Sequence, residues 1–172
     1  SVFVSSQYLN YFEDQCKFVS TLPSPIQRKL TVRLHPNDFD WDQFKRWRTR
    51  FPDLLLDEGH SKINNLIRKS RLLISTYNAT TFLEAFNMNV PTVIYWNPNH
   101  WELRASAVPY FEKLKSVGIF HETPESAARH VTAIWENVDD WWTSNEVREV
   151  LKCFTAQYCD TSDGLLDRVE CA

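Results

Sequence analysis

The fold is decided by one stretch of sequence, Arg71-Leu-Leu-Ile-Ser-Thr-Tyr-Asn-Ala-Thr-Thr-Phe-Leu-Glu-Ala-Phe-Asn-Met-Asn-Val-Pro-Thr-Val-Ile-Tyr-Trp96. It opens with a short apolar run and continues into mostly small polar residues at 75–81. A helical pattern follows, because Phe82 and Phe86 lie four residues apart on one stripe. Pro91 ends that helix, and the β-branched and aromatic residues after it are typical of a buried strand. The stretch therefore predicts a strand, helix and parallel strand with a right-handed crossover.

The polar turn in this unit is the first candidate binding site. Open α/β sheets bind ligands beyond the carboxyl ends of their strands, which is where this turn lies. Hydroxyls, an amide and the free N–H groups of a helix start suit an anion, and phosphate is the natural candidate. We expect Glu84, in the first turn of the helix, to accept hydrogen bonds from ribose hydroxyls. The candidate phosphate ligands are Ser75, Thr76, Asn78, Thr80 and Thr81. Some of them have a structural alternative: Thr80 or Thr81 can serve as the helix N-cap, and Asn78 can be a left-handed turn residue.

The rest of the chain repeats the alternation of strand and helix. Strands are predicted at 2–6, 30–34, 54–56, 72–74, 92–95 and 119–121, and helices at 8–19, 41–51, 62–69, 108–117, 124–137 and 144–158, with a turn at 139–145. Alternation of this kind predicts a Rossmann-like three-layer α/β/α sandwich with a mostly parallel sheet of about six strands. The length of 172 residues fits one domain spanning 1–172.

Composition excludes several classes of function. A net charge of −3 and a pI of about 5.9 argue against a nucleic-acid or acidic-membrane surface. Three glycines are too few for either common glycine-rich phosphate loop. No His, Cys and carboxylate set has metal-ligand spacing, so we expect no metal and no cofactor. Without a membrane-spanning run or a signal peptide, we expect a cytoplasmic protein, with peripheral association with the inner membrane as an alternative.

Two further loops are predicted at the same sheet edge. The first strand leads into Ser5, Ser6 and Gln7, and the second leads into Arg33-Leu-His-Pro36. Pro36 keeps the preceding residue extended, so the imidazole of His35 is positioned to donate a hydrogen bond to a phosphate. A packed structural histidine is the alternative. Arg104, after the fifth strand, is a secondary anion candidate. The basic helix at 41–51 is interpreted as a solvated face. We expect these loops to converge on one crevice.

The residues also carry a resemblance. Ser75-Thr-Tyr-Asn-Ala-Thr-Thr-Phe-Leu-Glu84, Asn89-Val-Pro91 and the tail Ile134-Trp-Glu-Asn-Val-Asp-Asp-Trp-Trp-Thr-Ser144 resemble a family of bacterial surface-carbohydrate transferases along nearly the whole chain. That family looks related to the β-Kdo glycosyltransferases of GT-B architecture. The Arg-x-His-Pro motif with a downstream Ser/Thr motif is similar to the CMP-binding signature of bacterial sialyl-, polysialyl- and Kdo-transferases.

The resemblance implies the C-terminal, nucleotide-sugar-binding half of a GT-B glycosyltransferase for surface polysaccharide, with CMP-Kdo or a related acidic sugar as donor. It implies that Arg33, His35 and Pro36 form the first motif, that Ser75, Thr76 and Thr80 form the second, and that Glu84 with Pro91 faces the ribose. GT-B enzymes have two such domains, so the chain is expected to be a fragment whose glycan acceptor binds through a missing domain. No catalytic residue is assigned.

Two alternatives stay open. A GT-B relative resembling a UDP-sugar epimerase would share the fold and the helix with Glu84. A non-catalytic binding or scaffolding module would keep the fold without the chemistry. Secondary candidates for the site are Ser6, Gln7 and Arg104.

Overall fold

The computed structural model of the chain describes residues 5–159, except for the side chains of the first two. The helices are α1 (Ser5–Thr21), α2 (Ser24–Gln27), α3 (Gln43–Arg50), α4 (Ile63–Lys69), α5 (Thr80–Asn87), α6 (Val108–Ser116), α7 (Pro124–Ile134), α8 (Val138–Thr143) and α9 (Asn145–Tyr158). The strands are β1 (Thr31–Arg33), β2 (Leu55–Asp57), β3 (Leu73–Ser75), β4 (Thr92–Tyr95) and β5 (Phe120–His121). The predicted alternation of strands and helices is confirmed from β1 onward.

The strands form two parallel sheets. β1 pairs with β2, with Thr31 opposite Leu55, and β4 lies between β3 and β5. A parallel α/β fold is therefore confirmed, but the described residues form sheets of two and three strands rather than one sheet of six. A strand was expected at 2–6, and positions 2–4 of it lie outside the described residues. Ser5 and Ser6 do not form the expected loop, because they begin α1.

One hydrophobic core joins the two sheets. Leu34 and Leu54, which flank β1 and β2, share a buried cluster with Val93 and Tyr95 of β4. The helices α1 and α7 pack against each other and contribute Phe18 and other apolar side chains to the same cluster. Side chains alternate across a strand, so Ile94 and Trp96 face the opposite side, where α5, α6 and α9 cover the sheet. Helices thus cover both faces of the three-stranded sheet, as a layered sandwich requires.

The structure moves several predicted element ends, including the turn predicted at 139–145 and the end of the helix before Pro91. Residues 138–143 form α8 rather than part of a turn, because Val138 and Trp142 lie four apart and bury the same face. The helix α5 ends at Asn87, ahead of Pro91, and Asn89 adopts the left-handed conformation with φ 55°. The Asn89 amide oxygen accepts hydrogen bonds from Trp142 (3.1 Å) and Arg148 (2.6 Å). Among residues 5–159, no helix has both the length and the apolar composition needed to cross a membrane.

Candidate functional site

The turn after β1 presents the imidazole of His35 to solvent. His35 is exposed, and its Nδ1 accepts a hydrogen bond from the N–H of Asn37 at 3.1 Å. Nδ1 also lies 3.0 Å from the Asn37 carbonyl, to which a protonated ring would donate. When Nδ1 accepts from Asn37, Nε2 carries the proton and is a donor, whereas in a neutral ring that donates from Nδ1, Nε2 is an acceptor. Within residues 5–159, Nε2 has no hydrogen-bond partner. The ring of Phe39 lies 5.0 Å away. The turn therefore leaves Nε2 of an exposed imidazole available to a ligand.

The loop between β2 and α4 holds this turn in place. The guanidinium of Arg33 forms an ion pair with Asp57 and donates to the carbonyls of Gly59 (2.9 Å) and Ser61 (2.7 Å). It also donates to the Ser61 hydroxyl at 3.2 Å. Arg33 thus makes four contacts with this loop, whereas the resemblance implied that it belongs to the nucleotide-binding motif. Its observed contacts tie the end of β1, which leads into the His35-Pro36 turn, to the β2–α4 loop.

Gly59 brings the two loops into backbone contact. Its φ is +85°, and a Cβ at this position would lie 2.8 Å from the Leu34 carbonyl oxygen and 2.9 Å from the Pro36 nitrogen. Both distances are below van der Waals contact, so only glycine permits this approach. The conformation of the His-Pro turn therefore depends on a residue 24 positions after His35.

A cavity of about 250 Å³ opens beside His35. Its walls come from the β1–α3 loop, the first turn of α3 and the β2–α4 loop. Besides His35 and Pro36, the side chains that line it include Asp42, Phe44, Lys45, Glu58 and His60. Pockets for drug-sized ligands are usually about 300–1,000 Å³, so this one fits a part of a nucleotide sugar. No residue of the 75–81 turn is among its lining residues within the described part of the chain.

The hydroxyls of the polar turn are in two environments. Ser75 is buried at the end of β3, and its hydroxyl donates to the Tyr77 carbonyl at 3.4 Å. The Thr76 hydroxyl accepts from the amide of Gln15 at 2.9 Å and lies 2.7 Å from the Tyr11 hydroxyl. Burial raises the pKa of Tyr11, so its phenol stays protonated and joins this contact as a neutral group. Thr76 thus ties the turn to α1, whereas Thr80 is exposed and Thr81 is half-buried.

The start of α5 offers backbone donors to an anion. Ala79 occupies the N-cap position, so no side chain caps the first N–H groups of this helix. Thr80 and Thr81 are its first two residues, and Asn78 before them is exposed. Glu84 is the fifth residue and lies in the second turn, which corrects the expected position, because one turn spans only 3.6 residues. The helix start therefore has no acidic side chain in its first turn.

The helix α1 contacts both loops. The Tyr8 ring stacks on Trp41 of the β1–α3 loop, with centroids 4.3 Å apart, while Tyr11 contacts Thr76. Residues three apart on a helix are neighbours on its surface, with Cβ atoms about 5–6 Å apart. The His35 loop and the polar turn are therefore both seated against the same part of α1.

The secondary candidates are divided between two places. Ser6 and Gln7 lie in the first turn of α1, whose following turns contact both loops. Arg104 is exposed and precedes α6, where its carbonyl accepts from the N–H of Ala107 at 2.8 Å. Trp101 lies 6.1 Å from the Tyr11 ring, so the segment after β4 approaches the polar turn. Within the described residues, no group of three or more His, Cys, Asp or Glu side chains is arranged to hold a metal ion.

Lys45 and His60 line the cavity but are not among the site residues predicted from the sequence. The first was grouped with the solvated face of the basic helix, and no role was given to the second. Lys45 is the third residue of α3, and His60 adjoins Gly59. A useful signal was available, since the first turn of a helix that follows a strand lies at the carboxyl edge of the sheet.

Comparison with known protein families identifies the chain. The model of the LIC12162 family of transferases matches residues 1–170, and the chain therefore belongs to the LIC12162 family transferases. No curated protein and no solved structure matches the chain.

Proposed function

We propose that this LIC12162 family transferase binds a nucleotide-activated sugar, and that the chain is the donor-binding Rossmann-like domain of a GT-B glycosyltransferase for bacterial surface polysaccharide. The donor would be a CMP-linked acidic sugar such as Kdo. The glycan acceptor would bind largely through another domain. Membership of a transferase family and the parallel α/β fold support this proposal.

One observation carries the proposal. The exposed imidazole of His35 and the uncapped start of α5 both belong to loops that contact neighbouring residues of α1. A phosphate between them would accept hydrogen bonds from the Nε2 of His35, the hydroxyl of Thr80 and the first backbone N–H groups of α5.

The same arrangement would serve the reaction. When the sugar is transferred, the bond between its anomeric carbon and the phosphate oxygen breaks, and negative charge develops on the leaving nucleotide. Donors fixed in advance around that charge stabilise the transition state more than the ground state. In this proposal the chain supplies leaving-group stabilisation, while the base that activates the acceptor is not assigned to any of its residues.

Calorimetric titration with CMP, UDP and GDP tests the donor assignment. We expect CMP to bind most tightly, and we expect His35→Ala to weaken CMP binding by about 1.5 kcal/mol, roughly tenfold in Kd. His35 is exposed, and within the described residues its ring hydrogen-bonds only to Asn37, so the variant should unfold at the same temperature as the wild type. Equal or absent binding of all three nucleotides would remove the donor assignment. Preference for UDP would favour the epimerase-like alternative.

A further inference from the structure

The cavity beside His35 has a lining that suits an acidic sugar better than a phosphate. Lys45 contributes a cationic amine, which has no hydrogen bond or ion pair within residues 5–159, and Asp42 and Glu58 contribute carboxylates. A phosphate diester and a sugar carboxylate are both anions that can pair with the lysine, but a phosphate diester has no hydroxyl to donate to the two carboxylates. A sugar acid carries a carboxylate for the lysine and several hydroxyls that can donate to Asp42 and Glu58.

The third carboxylate at the cavity is already used. Asp38 accepts hydrogen bonds from the backbone N–H groups of Asp42 (2.8 Å) and Gln43 (2.7 Å). These bonds stabilise a loop in which Phe39, Asp40 and Asp42 all have positive φ. Left-handed conformations cost about 1–2 kcal/mol at non-glycine residues, and such strain is concentrated at functional sites. The loop is thus held in an unfavourable backbone shape that forms one wall of the cavity.

An apolar surface completes the lining. Phe44 is 44% exposed, and the guanidinium of Arg48 lies 5.3 Å from its ring centroid. Because Phe44 also lines the cavity, its ring is available to the C–H face of a sugar. His60, on the opposite loop, has no hydrogen-bond partner within the described residues and can bond to a hydroxyl or a carboxylate.

We propose that this cavity binds the sugar-acid moiety of the donor, with Lys45 pairing with its carboxylate and Asp42 and Glu58 accepting hydrogen bonds from its hydroxyls. This inference rests on the proposed function, in which His35 and the start of α5 bind the adjoining phosphate. Lys45 would then be a specificity residue that distinguishes acidic from neutral sugars.

The test compares CMP with CMP-N-acetylneuraminic acid on the full chain, the Lys45→Gln variant and the Lys152→Gln variant. Lys152 is an exposed lysine of α9, so its substitution removes the same charge elsewhere. We expect the wild type to bind the CMP-sugar more tightly than CMP. Lys45→Gln should lose that difference, about tenfold in Kd, while its affinity for CMP changes less than twofold. Lys152→Gln should match the wild type for both.

Two results would overturn the inference while the proposed function stands. In the first, Lys45→Gln keeps the full difference between the two ligands. In the second, Lys45→Gln weakens the binding of both ligands equally, which would place the phosphate or the nucleobase at Lys45. If CMP does not bind at all, the proposed function fails, and free N-acetylneuraminic acid becomes the probe. Shifts of the His60 ring resonances by that sugar would then support the cavity assignment, and their absence would overturn it.

Discussion

Substitution of Gly59 by alanine should damage the candidate site from a distance. The new Cβ would lie 2.8 Å from the Leu34 carbonyl oxygen and 2.9 Å from the Pro36 nitrogen, which are backbone atoms that cannot rotate away. The backbone at φ +85° adds about 1–2 kcal/mol of conformational cost for a residue with a Cβ. We therefore expect a loss of about 2 kcal/mol in the free energy of unfolding, which corresponds to about 4–8 °C in Tm for a chain of this size.

The chain supplies a matched control in Gly118. Its φ is +78°, and a Cβ there would overlap the ring of His130, away from the His-Pro turn. Both variants should be destabilised in urea or thermal unfolding. Only Gly59→Ala should also weaken CMP binding in calorimetry below the unfolding transition, because only that substitution displaces the turn that carries His35.

If Gly59→Ala is destabilised but binds CMP as the wild type does, the His35-Pro36 turn does not form the nucleotide site. If Gly118→Ala weakens binding equally, the effect reflects general stability rather than the contact between the two loops.

Two further predictions concern the polar turn and the pH dependence of stability. Thr76→Val should lower the free energy of unfolding in urea by about 1 kcal/mol with little effect on CMP affinity, because the hydroxyl bonds to side chains of α1. Thr80→Ala should weaken CMP binding and leave the free energy of unfolding nearly unchanged, because Thr80 is exposed. The reverse pattern would contradict the assignment of Thr76 to structure and Thr80 to binding. Burial lowers the pKa of His130 to about 4, so the unfolded chain binds a proton more readily, and stability should fall as pH decreases from about 6.5 towards 4 by at most about 1.4 kcal/mol per pH unit. His130→Phe should flatten that part of the stability profile, and an unchanged slope would show that another group is responsible.

The local pattern of the sequence was sufficient to predict most of the helices and strands. Strands such as β4 follow from β-branched runs, and α7 begins at residue 124 as predicted, after the N-cap Thr123, whose hydroxyl accepts from the N–H of Ser126. The helix α8 was missed because Asp139 and Asp140 suggested a turn, although the spacing of the buried Val138 and Trp142 is helical. Polar composition outweighed periodicity in that interpretation.

The candidate site was less predictable because it depends on contacts between loops. No local pattern shows that Arg33 is committed to the 57–61 loop, since its partners lie 24–28 residues away. Lys45 follows a loop in which Phe39, Asp40 and Asp42 are left-handed, a conformation that no local pattern in the sequence predicts. Whether His35 and the polar turn bind one ligand remains a prediction, supported by their shared contacts with α1.

The central claim is that His35 and the start of α5 bind the same phosphate. Its most direct test is an NMR titration of the ¹⁵N-labelled chain with CMP, following the His35 ring and the backbone amides of Thr80 and Thr81. We expect all three to shift along the same saturation curve, and the Thr80 and Thr81 shifts to be greatly reduced in His35→Ala at the same CMP concentration. Shifts at His35 alone, at the helix start alone, or at neither would contradict the account.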